Sequence, residues 1–392
     1  MQYRNFGTTN WQASALGFGV MRLPSGDGRY GAAQIDEKES TAMIYHAIEQ
    51  GVNYIDTAYP YHHGQSELFL GKILQGGWRE KIHLATKMPS WMVETRDDFD
   101  RIFQEQLTRL KTDHFDLYLL HSLDKTHYQK LRELDVLDWA EKRQAEGRIG
   151  LLGFSFHDTY EVFQQIVDSY DKWDFCQIQY NYMNTDYQAG RRGLQYAAAK
   201  GMAVVVMEPL LGGKLARPND DIQAIWERSP LKRSAVEWAL HWIWNQPEVS
   251  VVLSGMNAMQ QVEQNLAAAS ASRPGLLTAA DLELVDQVRA RFNQICPIPC
   301  TSCKYCQPCP NDVNIPAIFE MFNDGRMYGS IEDSRYWYNE IPAEERADQC
   351  EQCRQCEDAC PQSITVVDWL ALADEVLGKG KPYDEVLPRQ GG

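Results

Sequence analysis

Between residues 1 and 290, short apolar and β-branched runs alternate with longer stretches whose apolar positions recur at helical spacing. The short runs are residues 16–21, 53–57, 82–86, 115–121, 149–155, 175–179, 202–207 and 250–254. Runs this short and this apolar suit parallel strands covered on both faces, with a helix returning the chain between them. The helical stretches include residues 35–50, 97–111, 136–146, 187–200 and 230–244, and Gly51, Gly147 and Gly201 stand just past three of them, where a helix ends in a left-handed residue. Eight strands in α/β alternation predict a closed (β/α)8 TIM barrel. A doubly wound open sheet competes, but it calls for a glycine fingerprint after its first strand, and Gly17-Phe18-Gly19 lacks the third glycine and the helix.

Past residue 290 the pattern changes. Few β-formers occur, residues 315–322 read as a helix with Pro316 in its first turn, and cysteine dominates. Nine of the ten cysteines lie between Cys296 and Cys360. They form two combs: Cys300, Cys303, Cys306 and Cys309-Pro310, then Cys350, Cys353, Cys356 and Cys360-Pro361. Cysteines at every third position followed by Cys-Pro are iron–sulfur spacing, in which the last thiolate serves the other cluster. Zinc would want two separated CxxC pairs, and disulfides belong to secreted chains. The spacing therefore predicts two [4Fe-4S] clusters, one on Cys300, Cys303, Cys306 and Cys360, the other on Cys350, Cys353, Cys356 and Cys309. The first comb closes one residue short of the usual run, so Cys296 stands as an alternative to Cys309. The expected organisation is a barrel over residues 1–290, a mostly helical, ferredoxin-like iron–sulfur domain over 291–378, and a flexible tail over 379–392.

A formal charge of −16 argues against nucleic acid or an anionic membrane as partner. No apolar stretch reaches the about 20 residues of a membrane span, and the N-terminus lacks an apolar signal core. A soluble, cytoplasmic protein is expected, in a reducing compartment that spares the clusters.

Barrel chemistry sits where strands end at their C-termini. Asp56, Lys87, His121, Ser155, Gln179, Glu208 and Ser254 all fall there. A phenol, with a pKa of about 10, donates a proton at neutral pH only beside a cation. Lys87 can be that cation, Asp56 can hold it, and His121 can hydrogen-bond the oxygen that gains charge. That set suits protonation of a carbonyl as it receives hydride.

At this point the residues resemble the aldo-keto reductases. Tyr54-Ile55-Asp56-Thr57-Ala58-Tyr59-Pro60-Tyr61 with Gln65-Ser66-Glu67, Ala85-Thr86-Lys87, and Asp116-Leu117-Tyr118-Leu119-Leu120-His121 are similar to that family's motifs. The resemblance implies a tetrad of Asp56, Tyr61, Lys87 and His121, with Tyr59 as the local rival for the acid. It further implies a nicotinamide cofactor held by Ser155 and Gln179, by Glu208, Leu210 and Gly212 after the seventh strand, and by Ser254, Gly255, Asn257, Gln261 and Asn265 after the eighth. The asparagine that usually follows the serine is absent, leaving His157 or Asn181 as substitutes. No lysine or arginine occurs over residues 254–265, which favours NAD(H) or dual use over NADP(H) alone. The whole chain resembles the subgroup with an appended helical 4Fe-4S dicluster domain.

Nicotinamide transfers two electrons as hydride, whereas a cubane cluster takes one, and no flavin motif is evident to mediate, although flavin mononucleotide stays open. The leading expectation is an NAD(P)-dependent oxidoreductase of an aldehyde, ketone or alcohol whose clusters exchange electrons with a redox protein such as a ferredoxin. One alternative is a carbonyl reductase with structural or docking clusters; another is an electron-transfer or regulatory subunit with an inactive barrel.

Overall fold

The computed structural model describes residues 1–25, 33–300, 302 and 304–387. By contact the chain divides into two units, Met1–Gly212 with Val236–Leu282, and Gly213–Ala235 with Glu283–Gly392.

The first unit opens with an antiparallel hairpin, β1 (Tyr3–Asn5) and β2 (Gln12–Ser14). Then come β3 (Leu16–Gly19), β4 (Tyr54–Asp56), β5 (His83–Pro89), β6 (Phe115–Leu123), β7 (Ile149–Phe156), β8 (Phe175–Gln179), β9 (Ala203–Met207) and β10 (Val249–Gly255). Neighbours pair in parallel, and the sheet closes as β10-β3-β4-β5-β6-β7-β8-β9. The eight apolar runs are thus the eight barrel strands. Helices return the chain between them, among them Glu37–Glu49, Asp97–Leu110, Val136–Ala145, Gly190–Ala199 and Ala235–Trp244. The first starts later than its apolar pattern because the Asp36 carboxylate accepts the Glu39 N–H at 3.0 Å and so fixes the N-cap. Gly51, Gly147 and Gly201 take φ of +96°, +73° and +83°, the left-handed geometry expected of them.

Side chains of one parity on each strand face the barrel axis. Tyr54, Ala85, Leu117, Leu119, Phe175, Val205, Val251 and Leu253 pack there with Phe6 from the hairpin turn, which closes that core. The next inward positions are Asp56 after Tyr54, Lys87 after Ala85, His121 after Leu119 and Gln177 after Phe175. One alternation therefore builds an apolar floor and a polar rim. Two strands outrun their expected ends: β5 continues to Pro89 and β6 to Leu123, so Lys87 and His121 both lie within the β5–β6 ladder, opposite Leu119 and Pro89.

In the second unit, helices Ile315–Met327, Ile331–Glu340 and Val366–Ala373 surround a core that includes Ile318, Phe319, Phe322, Leu370 and Val376. Cys300, Cys306, Cys309, Cys350, Cys356 and Cys360 pack against that core. No strand occurs among its described residues.

A cut at 290/291 falls inside the helix Ala279–Gln294, and Gly213–Ala235, written into the barrel by sequence order, packs with the cluster unit. Leu215, Ile222 and Trp226 of this segment are buried, and Lys214 and Asp221 pair with Asp324 and Arg291. The tail expected to be free from residue 379 is held as far as Leu387. Tyr383, in the helical turn Tyr383–Val386, buries its ring against Phe322 and donates its hydroxyl to the Phe322 carbonyl; residues 388–392 lie outside the described residues. Among the described residues no helix is long and apolar enough to cross a membrane.

Candidate active site and cluster cavities

Lys87 is wholly buried and Asp56 nearly so. An ammonium has three N–H donors, and three acceptors meet it: Asp56 Oδ1 at 2.7 Å, the Thr57 carbonyl at 2.7 Å and the Tyr61 hydroxyl oxygen at 3.3 Å. Because the Tyr61 oxygen accepts from Lys87, its own proton is left for another acceptor. Burial alone would lower the lysine's pKa, but Asp56 and Tyr61 together outweigh it and the ammonium sits above its ordinary value. Burial raises the Asp56 carboxyl, against the opposing pull of Lys87.

His121 lies edge-on to Tyr61, ring centroids 6.1 Å apart, with Trp91 at 5.1 Å on another side. Burial first, then Lys87 and His157, hold its pKa well below the usual imidazole value. A neutral ring with one N–H donor results, and its buried Nδ1 has no hydrogen-bond partner among the described residues. Tyr59, the rival phenol, is turned away: its hydroxyl donates to the Glu105 carboxylate at 3.1 Å and Arg109 lies 4.1 Å over its ring.

Behind the lysine stands a second buried carboxylate, Glu67. Its Oε1 accepts from the Thr86 hydroxyl and the Gln106 amide, both at 2.7 Å, while the same Gln106 nitrogen donates to the Lys87 carbonyl at 3.0 Å. Thr57, whose carbonyl accepts from the ammonium, shares a hydroxyl contact of 2.9 Å with Ser66. The Gln65-Ser66-Glu67 turn thus fixes the strands on either side of Lys87.

The residues expected around a nicotinamide divide into groups. Ser155 is buried and its Oγ accepts the Ser122 N–H at 2.7 Å, at an irregularity of β6, leaving the hydroxyl proton to donate. Gln179 is half-buried at the rim. Gln177, which the sequence reading passed over, pairs in register with Ser155; its Oε1 is a buried acceptor with no partner among the described residues. A buried orphan acceptor beside a hydroxyl donor fits a carboxamide, which needs one of each. The signal for Gln177 was present in the alternation, since it follows Phe175 on the inward face. Asn181, considered as a substitute ligand, is consumed locally: Nδ2 donates to the Glu208 carbonyl and Oδ1 accepts from Met183 and Asn184. His157 Nδ1 lies 3.3 Å from the Gln188 amide.

After β10, Ser254 Oγ accepts from Asn265 at 3.0 Å, and Gln261 Oε1 accepts the Asn257 N–H at 2.9 Å ahead of the helix Met259–Ala271. These pairs shape the loop around Gly255. After β9, Glu208 and Gly212 have φ of +54° and +69°, with Leu210 half-buried between them. Arg22, also missed, joins the two loops. Its guanidinium donates to the Gly212 carbonyl at 2.5 Å and pairs with Glu208 at 3.4 Å. Its stem crosses Gly255, where an added Cβ would come within 3.1 Å of Arg22 Cδ. A cation thus stands beside the loop around Gly255 although residues 254–265 carry none, contributed by the turn after β3, which motif reading over the last loop does not register.

A broad concavity lined by Arg79, His83, Lys111, His114, Asp116 and Arg148 lies where β5 to β7 begin. That is the face of a barrel associated with stability, so it is set apart from the site.

In the second unit, Cys309, Cys350, Cys353 and Cys356 line one small cavity together with Ile315 and Leu370. Cys300, Cys306 and Cys360 line another with Phe319 and Ile364. Cys303 lies outside the described residues. Cys296 lines neither cavity; its thiol donates to the Ile298 carbonyl. Seven thiols drawn from both combs and gathered around two cavities suit iron–sulfur ligation.

Residues 15–289 match the model of the aldo/keto reductase family, and residues 299–365 match that of a 4Fe-4S dicluster domain. Among curated relatives, the uncharacterized oxidoreductase YqkF of Bacillus subtilis is 26% identical over 305 residues, covering 70% of this chain and 92% of its own. L-galactose dehydrogenase of Arabidopsis thaliana is 26% identical over 288 residues, covering 68% and 88%. Among solved structures, the holo form of aldo-keto reductase AKR11C1 from Bacillus halodurans aligns with a TM-score of 0.60 at 26% identity, covering 74% of this chain and 96% of that one.

Proposed function

Because the chain belongs to the aldo/keto reductase family and carries a 4Fe-4S dicluster domain, we propose that it interconverts a small aldehyde or ketone and its alcohol with NAD(H) or NADP(H), and that two [4Fe-4S] clusters exchange electrons with a redox protein such as a ferredoxin. It is an oxidoreductase; the substrate class, the tetrad and the coupling are this proposal. The observation that carries it is the buried Lys87 ammonium, shared between Asp56 at 2.7 Å and Tyr61 at 3.3 Å.

When bound, nicotinamide supplies the hydride. Tyr61 gives its proton to the carbonyl oxygen and becomes a phenolate, which Lys87 stabilises by charge and hydrogen bond. Neutral His121 donates to the same oxygen and adds no second cation beside Lys87. Asp56 keeps Lys87 ionised and oriented. Ser155 and Gln177 fit the carboxamide, and Arg22 stands between the loops expected to hold the cofactor phosphates, which supports dual use. Gln179, Glu208, Leu210, Gly212, Ser254, Gly255, Asn257, Gln261 and Asn265 form or brace those loops.

Cys300, Cys303, Cys306 and Cys360 would hold one cluster, and Cys309, Cys350, Cys353 and Cys356 the other. Such clusters store single electrons. Their oxygen sensitivity favours a reducing cytoplasm. Tyr61→Phe should abolish carbonyl reduction while leaving nucleotide binding intact; unchanged turnover would discard the tetrad. Anaerobic electron paramagnetic resonance of reconstituted protein, with NADH, NADPH or dithionite, tests the coupling. A reduced-cluster signal with nucleotide supports it, and a signal with dithionite alone removes it.

A further inference from the structure

Immediately after Tyr61 the backbone turns left-handed for three residues, His62 and His63 at φ +52° and Gly64 at +84°. For a residue with a Cβ this is a sparsely populated, strained conformation that the surroundings must enforce, and such positions gather at functional sites. Glycine would take the same φ without strain. The two histidines share the geometry but differ in surroundings. His63 is exposed. His62 is 2% exposed, and its Nε2 accepts the backbone N–H of Leu23 at 3.2 Å.

The Leu23 bond gives the imidazole a task. Nε2 must be bare to accept, so the ring is neutral with its proton on Nδ1. Leu23 directly follows Arg22, whose guanidinium joins Gly212 and Glu208 and whose stem crosses Gly255. One side chain thus bridges the turn that presents the phenol and the turn that presents the arginine. The His62–Leu23 bond is a direct polar link between those turns.

We infer that His62 is a positioning residue that locks the proton donor's turn to the arginine turn beside the cofactor loops, so that nucleotide binding and the placement of Tyr61 are set together. The inference rests on the proposed roles of Tyr61 and Arg22. It differs from a fold-maintenance role in what it predicts, because the lock acts on catalysis and on nucleotide affinity at once.

The test is His62→Gly, which relieves the backbone and deletes the acceptor. His63→Gly is the matched control, relieving the same φ with no described bond lost, and His62→Gln is the conservative variant whose amide oxygen can replace Nε2. The readouts are thermal melts, NADH and NADPH dissociation constants by fluorescence, and kcat for carbonyl reduction. Expected for His62→Gly are a lowered melting temperature from the emptied site and the orphaned Leu23 N–H, kcat in the still-folded protein down about ten- to a hundred-fold through loss of alignment, and weaker binding of both nucleotides. His62→Gln should recover most of both, and His63→Gly should match wild type. The inference is overturned if His62→Gly keeps wild-type kcat and affinity, if it loses only stability, or if His62→Gln is as impaired as His62→Gly. Tyr61→Phe run alongside separates failures: its full activity would remove the proposed chemistry, while its inactivity with an unaffected His62→Gly would remove only the lock.

Discussion

Replacing Lys87 with methionine keeps the aliphatic stem and deletes the charge. The ammonium is buried and satisfied by Asp56, Thr57 and Tyr61, and removing one member of a buried pair costs about 3–5 kcal/mol because the other ion is stranded. Asp56 has an escape, since burial already pushes its carboxyl upward and the variant removes the opposing cation, so it protonates instead. The folded carboxyl then binds more protons than the unfolded one. Stability of the variant must therefore fall as pH rises from the unfolded carboxylate value of about 3.9 to the raised folded value, and level off above it. The loss should be small near pH 4 and approach the full penalty at pH 8. Asp56→Asn together with Lys87→Met leaves no buried ion, and should recover to within about 1–2 kcal/mol of wild type, a non-additivity of the size expected for contacting residues. Urea denaturation at several pH values, followed by tryptophan fluorescence, measures the cycle. Carbonyl reduction should drop about 10²–10³-fold in both variants, the usual cost of losing a donor to a developing anion, so stability returns in the double variant and activity does not. Additive losses, or a Lys87→Met stability profile parallel to wild type, would refute the coupled pair.

Other perturbations read other parts of the site. Gln177→Leu removes a buried acceptor that has no partner in the described structure. The nucleotide-free protein should therefore melt no lower, while the dissociation constants of NADH and NADPH rise about ten-fold, near 1.4 kcal/mol; unchanged affinity would end the carboxamide assignment. Cys309→Ser should lose about half the iron after anaerobic reconstitution, whereas Cys296→Ser should keep it all; the reverse would exchange the two thiols, and iron analysis decides. His121 has a folded pKa well below its unfolded value, so the unfolded state binds the extra proton and stability rises with pH up to about 6.5 and is flat beyond. His121→Gln should flatten that acid limb in urea melts at pH 5 and 7, and an identical slope would show that the ring titrates normally.

The barrel was legible because strand burial imposes a local alphabet: the run 202–207 is apolar at every position, and Gly51, Gly147 and Gly201, just past three helices, take a left-handed φ. The convergence of Asp56, Lys87 and His121 on one rim was legible for a related reason. Asp56, Lys87 and His121 each extend the inward parity of a strand, so chemistry and register coincide in sequence. Where the reading missed, the determinant was not local. Gln177 lies on the inward face of its strand, but its value appears only when Ser155 is paired beside it by the register of β7 with β8. Arg22 is a lone cation after the first strand, and it reaches Gly212 and Gly255 only because barrel closure sets β3 against β10. Similarly, Gly213–Ala235 groups with the second unit through contacts to residues distant in sequence, which no single stretch expresses.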